Sequence, residues 1–161
     1  MPLPSEINIR ASTQMLGGAK GDIIPDNALH AIFPPVSKEL AEHGGADYAC
    51  IFIENASTNA TLYNIRIYVF QPDGGREVKE RFEIGLDPAS GSPVQTIPNR
   101  TTAPQNVTFF DARDYATGVE IGVLPPGGAQ ALWLKRIIPA GTEATVDTSA
   151  TLQIEFAKTS G

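Results

Sequence analysis

The chain has 161 residues, 42% of them hydrophobic, which is enough to bury a real core and too apolar for a disordered polymer. Twelve basic against eighteen acidic side chains leave a net charge of −6, and no cluster of Lys and Arg gathers anywhere. That balance repels phosphate backbones and disfavours nucleic acid as a partner. Fifteen Gly and thirteen Pro point to many turns and few helices, and a single cysteine, Cys50, excludes an intrachain disulfide. No window approaches the roughly 18 consecutive apolar residues of a membrane span, and Met1–Glu6 lacks the basic and apolar segments of a signal peptide. A chain made and assembled in a reducing cytoplasm is the expectation.

Residues 1–46 read as an irregular arm or flap. Ile7–Arg10 alternates briefly as a short strand, and Gly17-Gly18-Ala19-Lys20-Gly21 marks a break. Ile23–Phe33 is apolar without a period, and Pro34-Pro35 ends it. Val36–His43 has helical spacing, with Ser37 placed to cap it and Gly44-Gly45 to stop it.

From Asp47 the period becomes two, and residues 47–161 read as one β-domain. Tyr48–Asn55 is apolar on both faces until Glu54, the pattern of a strand covered on two sides. In Leu62–Phe70 the residues Tyr63, Ile65, Ile67 and Val69 point one way, with Asn64 and Arg66 opposite. Pro72-Asp73-Gly74-Gly75 is a turn, and Phe82, Ile84 and Leu86 form another half-buried strand. Residues 87–105 make a long Pro/Ser/Thr-rich loop with a short strand at Val94–Ile97, followed by an edge strand at Val107–Phe110. Val119–Val123 alternates, and Pro125-Pro126-Gly127-Gly128 then reverses the chain into the apolar run Ala129–Ile138. Pro139-Ala140-Gly141 closes that run, and Thr151–Phe156 is the last strand. Seven or eight short strands predict an antiparallel two-layer sandwich, with a barrel as the alternative.

Two segments carry a resemblance. Cys50–Val69, with Asn55 and small polar residues between two strands, resembles immunoglobulin-like domains of bacteria and phages. The turn, strand and Pro-Ala-Gly-Thr close of residues 122–142 resemble them too, and together the two segments span about half the chain. A narrower likeness, to structural proteins of tailed-bacteriophage virions, lies in Asn27–Phe33 with Val36-Ser37, Gly45–Ile53 and Ile84–Pro88. It continues in Thr102–Phe109 and in Leu132–Arg136 ahead of Pro139. The resemblance implies an immunoglobulin-like sandwich and a virion component. It brings no catalytic residues.

The residues themselves point to no reaction. His30, His43 and Cys50 lack the further ligands of a zinc site, and Cys50 lies mid-strand among Ile51, Phe52 and Ile53, as a core thiol does. Asp73-Gly74-Gly75 and Asp111–Asp114 fall short of a calcium loop, and the glycines at 17–21 lack the Lys-Ser/Thr end of a phosphate loop. The triplets at Asn55, Asn59, Asn99 and Asn106 read as turns, not glycan acceptors. No catalytic, cofactor or metal residue is therefore assigned. The expected contact residues are Ile23, Ile24, Ile32 and Phe33 in the arm, Pro93, Val94, Ile97 and Arg100 in the loop, and Trp133 and Arg136 on the long strand.

The function expected is that of a non-enzymatic capsid decoration (cement) protein, present in many copies and bound to the major capsid protein or other virion subunits. A neck or tail protein is one alternative. The other is a receptor- or carbohydrate-binding module with Trp133, Tyr115 or Tyr68 as its platform. No cofactor, nucleic acid or membrane is expected.

Overall fold

The computed structural model describes residues 6–24, 32–33, 37–70, 81–88, 93–141 and 151–159. The expected features at Asn27–His30, Pro34–Val36, Pro72–Gly75 and Thr142 lie outside them. The elements in chain order are β1 (Ile7–Ser12), β2 (Lys20–Ile24), α1 (Lys38–His43), β3 (Gly45–Asn55), β4 (Leu62–Phe70), β5 (Arg81–Leu86), β6 (Val119–Ile121), β7 (Ala129–Ile138) and β8 (Thr151–Lys158).

The strands form two antiparallel sheets, a large one ordered β2-β1-β3-β7-β5 and a small one ordered β6-β4-β8. They pack face to face as the expected all-β sandwich. Ile9, Ile51, Ile53, Ile84, Leu132 and Leu134 of the large sheet meet Leu62, Ile65, Ile67, Val69, Leu152 and Ile154 of the small one. The β3–β7 pair is the spine, running in one register from Gly45↔Ile138 to Glu54↔Ala129. Both strands are rich in the branched and aromatic side chains that suit a pleated, covered surface.

The reversal that feeds β7 follows from its sequence. The Gly128 N–H donates to the Pro125 carbonyl at 2.8 Å, and Gly127 sits at φ 76°, the left-handed value such a turn needs at its third residue. Ser37 caps α1 as expected, accepting from the Leu40 N–H at 3.2 Å, and Gly44 ends it.

Three expectations are corrected. First, residues 7–24 do not lie over the sandwich as part of an arm, because β1 pairs with β3 and hairpins to β2 inside the large sheet. The glycines at 17–18 are the hairpin turn, both with positive φ. Secondly, Tyr63 does not share the inward face of Ile65. Asn64 adopts φ 53°, and the pairing with β8 slips between Tyr63 and Arg66. This bulge turns Leu62 inward and leaves Tyr63 exposed. Thirdly, Val94–Ile97 and Val107–Phe110 are not strands; each contributes one isolated bridge, Gly17↔Thr96 and Ile84↔Phe110.

Candidate functional site

The large sheet is covered on both faces. On its outer face Tyr48, Cys50, Phe52, Ala131 and Trp133 form a second core with Val94 and Ile97 of the long loop. Leu16, Val107 and Phe109 pack around it. Backbone bonds fix the loop there: Val94 N–H donates to Gly18 (2.9 Å), Ile97 N–H to Leu16 (2.9 Å) and Tyr48 N–H to Arg100 (2.7 Å). The loop thus takes over where β1 stops and satisfies donors the sheet would otherwise bury unpaired.

Asp87 is the latch. Its carboxylate, buried in the protein, accepts from Trp133 Nε1 at 2.8 Å and from Gln95 Nε2 at 3.1 Å. Gln95 in turn spans the loop, donating to the Gln105 carbonyl and accepting from the Gln105 N–H, both at 2.7 Å. Gly85 lets the loop lie flat on β5, because a Cβ there would meet Val107 Cγ1 at 2.4 Å and the Thr108 carbonyl oxygen at 2.6 Å. Within this layer the Cys50 thiol is pushed up to about 12 by burial, which outweighs the opposing hydrogen bond of the Ser12 hydroxyl and is helped by the smaller effect of the Asp87 charge. Such a thiol is not a nucleophile at neutral pH.

At one end of the β3–β7 pair a bidentate ion pair is buried. Arg136 Nε and Nη2 donate to the two carboxylate oxygens of Asp47 at 2.9 and 2.7 Å. The guanidinium also lies 4.7 Å from the centre of the Phe33 ring. Across β2, β1 and β3 of the large sheet, Asn8, Arg10 and Lys20 converge on Glu54 at 3.2, 2.7 and 2.6 Å. Burial alone would raise the Glu54 carboxyl; the three hydrogen bonds, with the charge of Lys20, outweigh it and bring the group down to about 2. This cluster fastens β2 to β1 and β3.

These placements redistribute the expected contact residues. Ile32 and Phe33 belong to the core between the sheets, Val94, Ile97 and Trp133 to the outer core, and Arg136 to the buried ion pair. All six are buried, because the loop and the pair Ile32-Phe33 pack against the large sheet. Trp133 is 0% exposed, so it is no platform for a sugar or a partner. Arg100 is half-buried, and burial with the neighbouring charge of Arg136 lowers its pKa against the pull of Asp47. Ile24 is half-buried against the core between the sheets. Ile23, 49% exposed, and Pro93 remain at the surface. Asp47, Asp87 and Glu54, which organise the buried polar contacts, were not singled out by sequence reasoning. Their one signal is the acidic residue set at each end of an apolar strand.

The outer face of the small sheet is the more open one among the described residues, although Gln153, opposite Tyr68, is buried. Tyr63, Phe70 and Tyr115 stand there in solvent, Arg66 lies over the Tyr115 ring at 5.2 Å, and the Tyr68 hydroxyl donates to Glu155 at 2.8 Å. Between β6 and the border of β5 runs a groove of about 440 Å³. Among the described residues no three His, Cys, Asp or Glu side chains converge as a metal site would require, and no helix is long and apolar enough to cross a membrane. His30 lies outside the described residues. No protein-family model matches the chain, and no curated protein sequence matches it significantly.

Proposed function

We propose that the protein is a non-enzymatic structural module that seats on a larger particle, best read as a capsid decoration protein of a tailed-bacteriophage virion. The observation that carries this reading is the contrast between a large sheet buried on both faces and its terminal strand β2. Among the described residues no strand pairs with the outer side of β2, which presents Ile23 at 49% exposure. A rigid body with an edge strand open among the described residues suits assembly by strand addition, in which a neighbour's extended segment takes up the free backbone groups. Burial of Ile23 adds apolar area, and repetition over many copies turns a weak contact into a strong one. The net charge of −6 suits a component that must not adhere to packaged DNA. The partner on this reading is the major capsid protein or another virion subunit, and the immunoglobulin-like body is the scaffold that carries the edge.

Quantitative binding of the purified protein to isolated mature capsids tests the reading. Saturation near one copy per capsid subunit, lost on Ile23→Lys, is expected. Binding confined to tail preparations would move the protein to the neck or tail, and binding to neither would end the assembly reading.

A further inference from the structure

The groove beside β6 lies at the opposite edge of the large sheet from β2, so what it does is independent of any seating through β2. Its lining combines Phe110, Leu86 and Val119 with Asn106, Thr108 and Glu120. The volume of about 440 Å³ falls in the range of small-molecule sites. Phe110 is 53% exposed although its backbone is pinned to Ile84 by two hydrogen bonds of 2.8 and 2.9 Å. A ring held in place yet left in water costs apolar exposure that the groove does not relieve by itself.

The polar side chains are equally unoccupied. The Asn106 amide, the Thr108 hydroxyl and the Glu120 carboxylate are exposed to solvent and make no hydrogen bond to another described residue. Arg66, opposite Glu120 on β4, is turned instead to the Tyr115 ring and to the carbonyls of Tyr115 and Ala116. We infer that this groove binds a neutral carbohydrate of one or two pyranose units. A sugar ring has a C–H face that packs on an aromatic ring and a rim of hydroxyls that donate and accept. Planar amide and carboxylate groups each span two adjacent hydroxyls, and a threonine hydroxyl serves a third.

Other ligand classes fit less well. Glu120 and the net charge of −6 oppose an anion. A wholly apolar ligand would strand the three polar side chains. A cation would draw on one exposed carboxylate, which contributes little in water. The sugar platform expected from Trp133 is thus replaced by one built on Phe110.

The full chain is titrated with methyl glycosides of glucose, galactose and mannose and with maltose and cellobiose, read by saturation-transfer and amide-shift NMR. Saturation of sugar ring protons is expected for at least one probe, with shifts confined to Leu86, residues 106–110 and residues 117–120. Phe110→Ala and Asn106→Gly should each weaken binding about tenfold. Both variants should fold, since Phe110 is half in solvent and Asn106 already holds φ 61°, which glycine adopts freely. Absence of transfer from every probe overturns the inference. So does transfer that neither variant alters, or shifts at these residues produced by spermidine but by no sugar.

Discussion

The outer faces of the two sheets differ in a way that explains most of the molecule. On the large sheet, Asp47 to Asn55 of β3 are buried without interruption, because the 93–110 segment lies over the strand as a third layer. On the small sheet, β4 shows buried and open positions by turns, and its outward Tyr63 and Phe70 are exposed. The first face is scaffold and the second is surface. A two-sided apolar strand therefore demands a cover, and in this chain the cover is a loop without regular secondary structure. A long loop in a compact domain need not be an exposed contact element; here it completes a core.

The covered face should respond most strongly to truncation. Trp133→Ala removes the largest side chain of the outer core and leaves Asp87 without one of its donors, for an expected loss of about 3–5 kcal/mol in chemical denaturation. A loss under about 1 kcal/mol would mean that the loop is not a packed layer. Glu54, near the end of the central strand β3, gives the next largest effect. Its pKa in the folded protein, about 2, lies below the ordinary 4.5, so the stability it contributes is present above pH 4.5 and is lost as pH falls toward 2. Glu54→Gln should cost about 2 kcal/mol at pH 7 and flatten the acid limb of the stability profile between those values. An acid limb unchanged by the substitution would show that another carboxylate governs it. On the open face, Tyr63→Thr should change stability by no more than about 0.5 kcal/mol, because the side chain leaves no cavity behind. A larger cost would show that this face is covered as well.

What was legible in the sequence follows the same division. β4 and β7 were expected with the bounds they have, because alternation or a long apolar run between strong turns specifies them locally. The two-sided burial of β3 was also legible in Tyr48–Ile53. Its cover was not, because Val94, Ile97, Val107 and Phe109 are scattered among prolines, threonines and asparagines at no period, and their partners on β3 and β7 are distant in the sequence. β2 was missed for a related reason. Lys20-Gly21-Asp22 carries no apolar alternation, and the strand is held by Lys20 reaching Glu54 across β1, a contact no local pattern encodes. The bulge at Asn64 reversed the facing of Tyr63, since a single left-handed residue shifts every side chain before it to the other face. The place of Trp133 between Leu132 and Leu134 is that of a core residue, as the structure has it, whereas the contact role expected of it and Arg136 gives way to buried pairing: their partners, Asp87 and Asp47, reach them from distant strand ends.

Native-state hydrogen exchange tests whether the loop is a layer of the core. The amides of Val94, Ile97 and Tyr48, which donate to Gly18, Leu16 and Arg100, should exchange only through the same global opening that releases Cys50 and Leu132 at the centre of the large sheet. Exchange of the loop amides orders of magnitude faster than that of the central strands would contradict the account and return the loop to the surface.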